Sequence, residues 1–359
     1  MAWIRRITAS MMNDFRDRTL TFFYTDQAEY EIHQPVAIEA QMRGYRIEYS
    51  DNLRQTADIG FYCSHYGYLK EVSCNLGVIM LHDLGQGHKW WPDFWRYEDW
   101  SGFDIGFLPG EVWRELVLSC GIHIRPYLPK EGLHVAGWPK SDAALSEIFE
   151  PNSSAQVPTV LYAPSWENDQ KVWEFIAATD WFPGKRLIKL PRTDGEQSWM
   201  SLYPEAAEAI KFASTKLAQN KPTTVELIDP VTPIMDILPS VDILVSDESS
   251  ILIECMMFDA IPIAVTDWYV PPGRLAHAPF YGVLQTKVKQ LRNVIESALT
   301  LCGGNYSSPY KQKWFSNMGV ASSKILDVIE STVFPYQISV EPDVRQVRDI
   351  ENLKSVWNF

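Results

Sequence analysis

The chain alternates strand-like and helix-like segments twice, with one polar break between the two series. That pattern restricts the fold more than any other feature. The first series opens with "TLTFFYT" (19–25), β-branched and aromatic enough for a strand. "QPVAIEAQMRG" follows as a helix with Gly44 as its stop, then "YRIEY" as a strand. "ADIGFYCS" (57–64) and "LGVIML" (76–81) are short apolar runs of the kind that parallel strands buried on both faces require. "FDIGFLPG" and "LHVAGW" complete the series. The break, "FEPNSSAQVP" (149–158), is rich in Pro, Ser and Asn and reads as an interdomain linker. The second series runs through "TVLYAPS", "KRLIKLP", "TVELID", "VDILVSDESS" and "IPIAVTD", with helical stretches such as "YPEAAEAIKFASTKLAQ" between them. Strands separated by helices predict right-handed βαβ units and parallel sheets. The expectation is an α/β protein with two Rossmann-like domains facing a cleft, residues 1–150 and 151–335, and a final helix in 336–359.

Composition narrows the function classes. Of 359 residues, 46% are hydrophobic, enough for two real cores. The formal net charge of -13 disfavours nucleic acid, whose binding rests on neutralising phosphates. The five cysteines (Cys63, Cys74, Cys120, Cys255 and Cys302) have no metal-ligand spacing, so reduced thiols in a cytoplasmic protein are expected. His123, His134 and His277 form no metal pattern with a carboxylate pair, and no catalytic metal or cofactor is expected. No apolar run is long enough to span a membrane, and the N-terminus has no signal-peptide core. Ile4, Ile7, Met11 and Phe15 recur at helical spacing beside Arg5, Arg6, Arg16 and Arg18. Residues 1–18 therefore read either as a helix lying on the inner membrane face or as an amphipathic helix packed on the body.

The richest stretch is "VDILVSDESSILIECMMFDAIPIAV" (241–265): a strand, a turn, an apolar helix and another strand. Ser249 and Ser250 stand at the start of that helix, where unpaired N–H groups and the helix dipole favour an anion such as a diphosphate. Glu254, one turn deeper on the same face, is suited to accept hydrogen bonds from ribose or other ligand hydroxyls, or else to pair with a cation. "HDLGQGHKWW" (82–91) places two histidines and a lysine in a glycine-bearing loop after a strand. "WWPDFWRYEDW" adds Trp90, Trp91, Trp95 and Trp100, which make a sugar platform, a membrane-facing lid or the packed underside of a long loop. His33 and His65 follow strands and are either cleft-lining or structural.

Four stretches in order resemble the CDP-glycerol glycerophosphotransferase family, the teichoic-acid primases and polymerases of GT-B fold. "HDLGQGHK" is similar to the family's His- and Gly-rich loop ending in lysine. "GWPKSD" (137–142) resembles G-Y-P-R-N-D, "VLYAPSWE" (160–167) resembles I-L-Y-A-P-T-W, and "VSDESSILIE" (245–254) resembles T-D-Y-S-S-x-x-x-[DE]. The resemblance implies transfer of a polyol phosphate from a CDP-activated donor to a hydroxyl of a polysaccharide or lipid-linked wall or capsule acceptor. It makes His82 the base, with His88 as the alternative because Lys89 stands further from His82 than in the family loop. It places Asp247, Ser249, Ser250 and Glu254 at the donor diphosphate, Ser165 near the donor, and the loop of Asp229 and Thr232 near the nucleotide base. Where the family has a K-L-H-P segment, this chain reads "IKLPRTD", so Lys189 or Arg192 takes the histidine's place at the phosphates, or the site is degenerate. Glu248 replaces the family's tyrosine, tolerable beside phosphates only if it points away. A GT-B glycosyltransferase and a nucleotide-sugar 2-epimerase share the same expected architecture.

Overall fold

The computed structural model describes residues 18–63, 72–81, 83–84, 99–120, 128–146, 157–193, 203–270, 281–304 and 306–333. Two six-stranded sheets, parallel throughout, form its two domains. The first has the order β2-β1-β3-β4-β5-β6. Its strands are β1 (Thr19–Phe23), β2 (Arg46–Ser50), β3 (Ala57–Cys63), β4 (Cys74–Met80), β5 (Ile105–Leu108) and β6 (Leu133–Val135). The second has the order β12-β11-β10-β7-β8-β9. It is built from β7 (Thr159–Tyr162), β8 (Lys185–Ile188), β9 (Val225–Leu227), β10 (Ile243–Ser246), β11 (Ile261–Val265) and β12 (Leu284–Thr286).

Burial explains why the strands are apolar on both sides. Along β7, Val160 and Tyr162 enter one core while Leu161 and the following Ala163 enter another. Along β10, Ile243 and Val245 face one way and Leu244 the other. Successive side chains of a strand point to opposite faces, so helices must cover the sheet twice.

Helix α1 (Gln27–Arg43) starts where the Asp26 carboxylate accepts the Glu29 amide at 2.9 Å, and it stops at Gly44 in the left-handed conformation, φ 97°. Its start lies earlier than the expected helix, and His33 sits inside it. That imidazole is fully buried between the edges of Phe22 and Phe61 and lies 2.8 Å from the Cys63 thiol. Burial pushes its pKa down to about 3, so the ring is a neutral packing element and not a cleft-lining group. Trp100 is likewise buried; Trp90, Trp91, Trp95 and His65 lie outside the described residues.

The chain returns to the first domain before residue 336. Helices α2 (Glu111–Cys120) and α3 (Asp142–Ser146) belong to the first domain, and α9 (Ser308–Trp314) and α10 (Ala321–Val333) pack back onto it. The Trp113 indole donates to the Trp314 carbonyl at 3.1 Å. Gly110 allows this approach, since a Cβ there would stand 2.2 Å from the Trp314 carbonyl oxygen. Asp142 accepts the first two amides of α10, Ala321 and Ser322, at 3.0 and 2.7 Å. Arg43 of α1 binds Asp327, Glu330 and the backbone of Ser323. The return is thus made by 308–333; residues 336–359, where a final helix was expected, lie outside the described residues, as do residues 1–17. Among the described residues no helix is long and apolar enough to cross a membrane.

Candidate functional site

The connectivity of the second sheet creates a crevice. From β7 the chain builds β8 and β9 on one side, then crosses to β10 on the other. Adjacent strands therefore send their connections in opposite directions, and ligands of open parallel sheets bind outside the carboxyl ends at such a point. Three of the stretches singled out in the sequence emerge there on neighbouring strands. Asp247–Ser250 follow β10, Ala163–Trp166 follow β7, and Lys189–Arg192 follow β8.

A buried polar network fixes these loops. Asp247 is fully buried and accepts the amides of Ser165 at 2.8 Å, Trp166 at 3.0 Å and Glu248 at 2.8 Å. It also accepts the Lys171 ammonium at 2.9 Å. Lys171 opens helix α4 (Lys171–Ala178), is itself fully buried, and donates as well to the Trp166 carbonyl. Asp247 was expected at the donor diphosphate. The geometry instead makes it the clamp between the β7 and β10 loops, with its oxygens occupied by protein donors. Glu248 also points inward, to the Trp166 indole N–H. That turns the carboxylate into the protein, away from the solvent-facing side of the turn. Tyr162 donates to Glu167 at 2.7 Å; burial raises the Glu167 carboxyl above its usual range.

What remains open to the crevice is the hydroxyl pair. Ser249 and Ser250 are half-buried, and neither side chain makes a hydrogen bond among the described residues. The apolar helix expected after them is shorter in its α part. Helix α7 is one turn, Ile251–Glu254, continued by a 3-10 turn, Cys255–Phe258, that ends at Asp259 in the left-handed conformation. Every residue of Ile251–Met257 is buried, so packing between strands, not amphipathic periodicity, sets this segment.

Glu254 was expected either to meet ligand hydroxyls or to pair with a cation. The structure engages it with the other domain. It is 1% exposed and accepts the Trp138 indole N–H at 3.0 Å. The Lys140 ammonium reaches its two oxygens at 3.0 and 3.2 Å. Trp138 and Lys140 come from "GWPKSD", so two of the four stretches singled out in the sequence meet across the domain boundary.

The opposite side of the crevice is cationic. Lys189 donates to the Pro230 carbonyl at 2.8 Å. Burial first, then the positive fields of Arg192 and Lys140, hold its pKa down to about 8. Arg192 reaches Glu31 of α1 at 3.1 Å, a second ion pair between the domains. Beyond Lys189 lies a cavity of about 470 Å³. Its walls are Ile188, Leu190, Leu217, Leu227, Ile228 and Pro230, with Asp229 at the rim, and helix α5 (Pro204–Asn220) closes one side. The exposed Asp229 accepts the Val231 amide at 3.0 Å, and its carbonyl accepts the Thr232 amide, forming the turn that borders the cavity. His82, His88 and Lys89 lie outside the described residues. The chain on either side of His82 is anchored by buried Leu81 and Leu84. Among the described residues no group of three or more His, Cys, Asp or Glu side chains is placed to hold a metal.

Two parallel Rossmann-like sheets flanking a crevice, with residues 308–333 returning to the first domain, define a protein of GT-B fold. Solved structures bear this out. The wall teichoic acid polymerase TagF matches with a TM-score of 0.57 at 12% identity, over 93% of this chain and 97% of that one. The Methanocaldococcus jannaschii UDP-GlcNAc 2-epimerase in complex with UDP-GlcNAc and UDP matches with a TM-score of 0.52 at 11% identity, over 87% and 98%. The S. aureus MnaA–UDP structure matches with a TM-score of 0.54 at 10% identity, over 88% and 97%. No family model and no curated protein matches the sequence. The likeness at these identities is one of fold.

Lys171, Trp138, Lys140 and Glu31 carry the geometry of the site, and sequence reading assigned a role to none of them. For Trp138 and Lys140 a signal existed, because they stand within a motif already singled out. Lys171 and Glu31 left none.

Proposed function

We propose that this chain is a GT-B transferase that takes a nucleotide-activated donor in the crevice. It moves a polyol phosphate, glycerol phosphate first among candidates, from a CDP-activated donor to a hydroxyl of a wall or capsule polymer. The observation that carries this reading is the convergence at the carboxyl ends of β10, β7 and β8. Ser249 and Ser250 offer hydroxyls, Lys189 and Arg192 offer charge, and a largely apolar cavity of nucleoside scale lies beside them. The donor diphosphate spans the serines and the cations, the base enters the cavity by Asp229 and Thr232, and Ser165 borders the donor. The order of the four family-like stretches supports the CDP-polyol donor, as does the fold shared with TagF, one variant of which was soaked with CDPG. His82, two residues past the end of β4, is the proposed base that takes the acceptor hydroxyl's proton.

The leaving nucleotide tests this reading. Attack on the donor's distal phosphorus breaks the diphosphate and releases CMP. Attack on an anomeric carbon releases an intact nucleoside diphosphate. With CDP-glycerol and a hydroxyl acceptor, CMP is the expected product. His82→Ala abolishes its formation while leaving nucleotide affinity within about twofold, because the base acts on the acceptor side. Loss of turnover in His88→Ala with an active His82→Ala transfers the role to His88. A second reading, chemistry on a nucleotide sugar (glycosyl transfer or 2-epimerisation), is favoured by the UDP-bound neighbours of the same fold, one of them a UDP-GlcNAc 2-epimerase. Release of UDP from a UDP-sugar would select it.

A further inference from the structure

The two domains exchange ion pairs at the place where the second domain gathers positive charge. Lys140, Lys189 and Arg192 lie close enough that Lys140 and Arg192 both act on the Lys189 ammonium. Like charges in half-buried surroundings are unfavourable unless anions neutralise them. Here carboxylates of the chain do so, and two of them cross the domain boundary. Lys140 of the first domain holds Glu254 of the second, and Arg192 of the second holds Glu31 of the first. Both cations retain access to solvent, with side chains 29% and 26% exposed. The Arg192 Nε is buried and has no hydrogen-bond partner among the described residues, so Glu31 does not use the guanidinium fully.

We propose that Glu31 and Glu254 are resting counter-ions, displaced from Arg192 and Lys140 by an incoming diphosphate, so that ligand binding and these two interdomain ion pairs exclude one another. This rests on the placement of donor phosphates at the cationic cluster. A diphosphate carries more charge and more oxygens than a carboxylate and suits the planar fork of an arginine. Lys140, a first-domain residue, becomes a phosphate ligand of a site otherwise built by the second. Glu254 becomes a competitor of the ligand and not an acceptor for its hydroxyls, and these two roles predict opposite signs on substitution.

Calorimetry with inorganic pyrophosphate, repeated with CDP, tests this on the full chain and three variants. Glu31→Gln removes an exposed carboxylate, Glu254→Gln a buried one. Asp180, which lies between α4 and the amino end of β8 and pairs with Arg292, is changed in Asp180→Asn to remove the same charge away from the carboxyl-end cluster. Glu31→Gln and a folded Glu254→Gln bind pyrophosphate roughly three- to fivefold tighter than the parent, and Asp180→Asn stays within about twofold. Unchanged or weaker binding by Glu31→Gln overturns the proposal, as does an equal gain in Asp180→Asn. Weaker binding of CDP by a folded Glu254→Gln returns Glu254 to the role of contact to the ligand's hydroxyls, and unchanged or weaker binding of pyrophosphate by that variant overturns its part. If pyrophosphate shows these gains while no nucleotide binds, the counter-ion exchange stands and the nucleotide-donor reading falls. Absence of pyrophosphate binding in all four proteins overturns the exchange.

Discussion

Lys171→Met costs the fold about 3–5 kcal/mol, the loss expected when one partner of a buried ion pair is removed and the other charge stays behind. Lys171 and Asp247 are both fully buried, and their contact joins the loops after β7 and β10. Without the ammonium, Asp247 keeps its three amide donors but no counter-charge. The Trp166 carbonyl also loses its donor. Adding Asp247→Asn to Lys171→Met removes the uncompensated charge and recovers part of the loss, not all of it, because the Asn side chain keeps one acceptor oxygen where the carboxylate used two to accept the Ser165, Glu248 and Trp166 amides. Urea denaturation of the parent, both single variants and the double variant checks this through the shift in midpoint. A loss under about 1 kcal/mol for Lys171→Met contradicts the clamp assigned to this pair.

Lys189→Ala weakens pyrophosphate or nucleotide binding about 10- to 100-fold, the equivalent of a charge-assisted hydrogen bond of about 1.5–3 kcal/mol. The effect is pH-dependent with a defined sign. A lysine is cationic below its pKa, and burial with the fields of Arg192 and Lys140 lowers that of Lys189 to about 8. Anion affinity is therefore full near neutral pH and falls as pH rises through about 8. A bound anion favours the charged form, so protons are taken up on binding at alkaline pH. Lys189→Arg, charged throughout this range, removes the dependence. Titrations from about pH 6.5 to about pH 9.5 in buffers of different ionisation enthalpy measure both the slope and the proton uptake. Parent-like affinity in Lys189→Ala, or a flat profile in the parent, contradicts the placement of the anion.

The fold was largely legible because its signals are local. Short apolar runs marked the buried parallel strands, and Gly44 marked the end of α1. β12 escaped, since only one of its three residues is buried and no pattern survives in so short an edge strand. The site was legible as a list of loops but not as a set of roles. Asp247 meets Lys171 from 76 positions away, and Glu254 meets Lys140 and Trp138 across 114 and 116 positions. Spacing along the chain cannot distinguish a carboxylate aimed at a ligand from one aimed at another domain. Asp247 read as a ligand contact and Glu254 as either a ligand contact or a cation's partner, and only tertiary packing supplies the partners that separate these roles.

The central claim is that the crevice at the carboxyl ends of β10, β7 and β8 receives a nucleotide through its diphosphate, and titration of the full chain with CDP, UDP and GDP by calorimetry tests it most directly. The account predicts saturable binding of CDP in preference to UDP and GDP, lost in Lys189→Ala. Preference for UDP or GDP moves the proposed donor to a nucleotide sugar, and absence of binding by all three nucleotides contradicts the account.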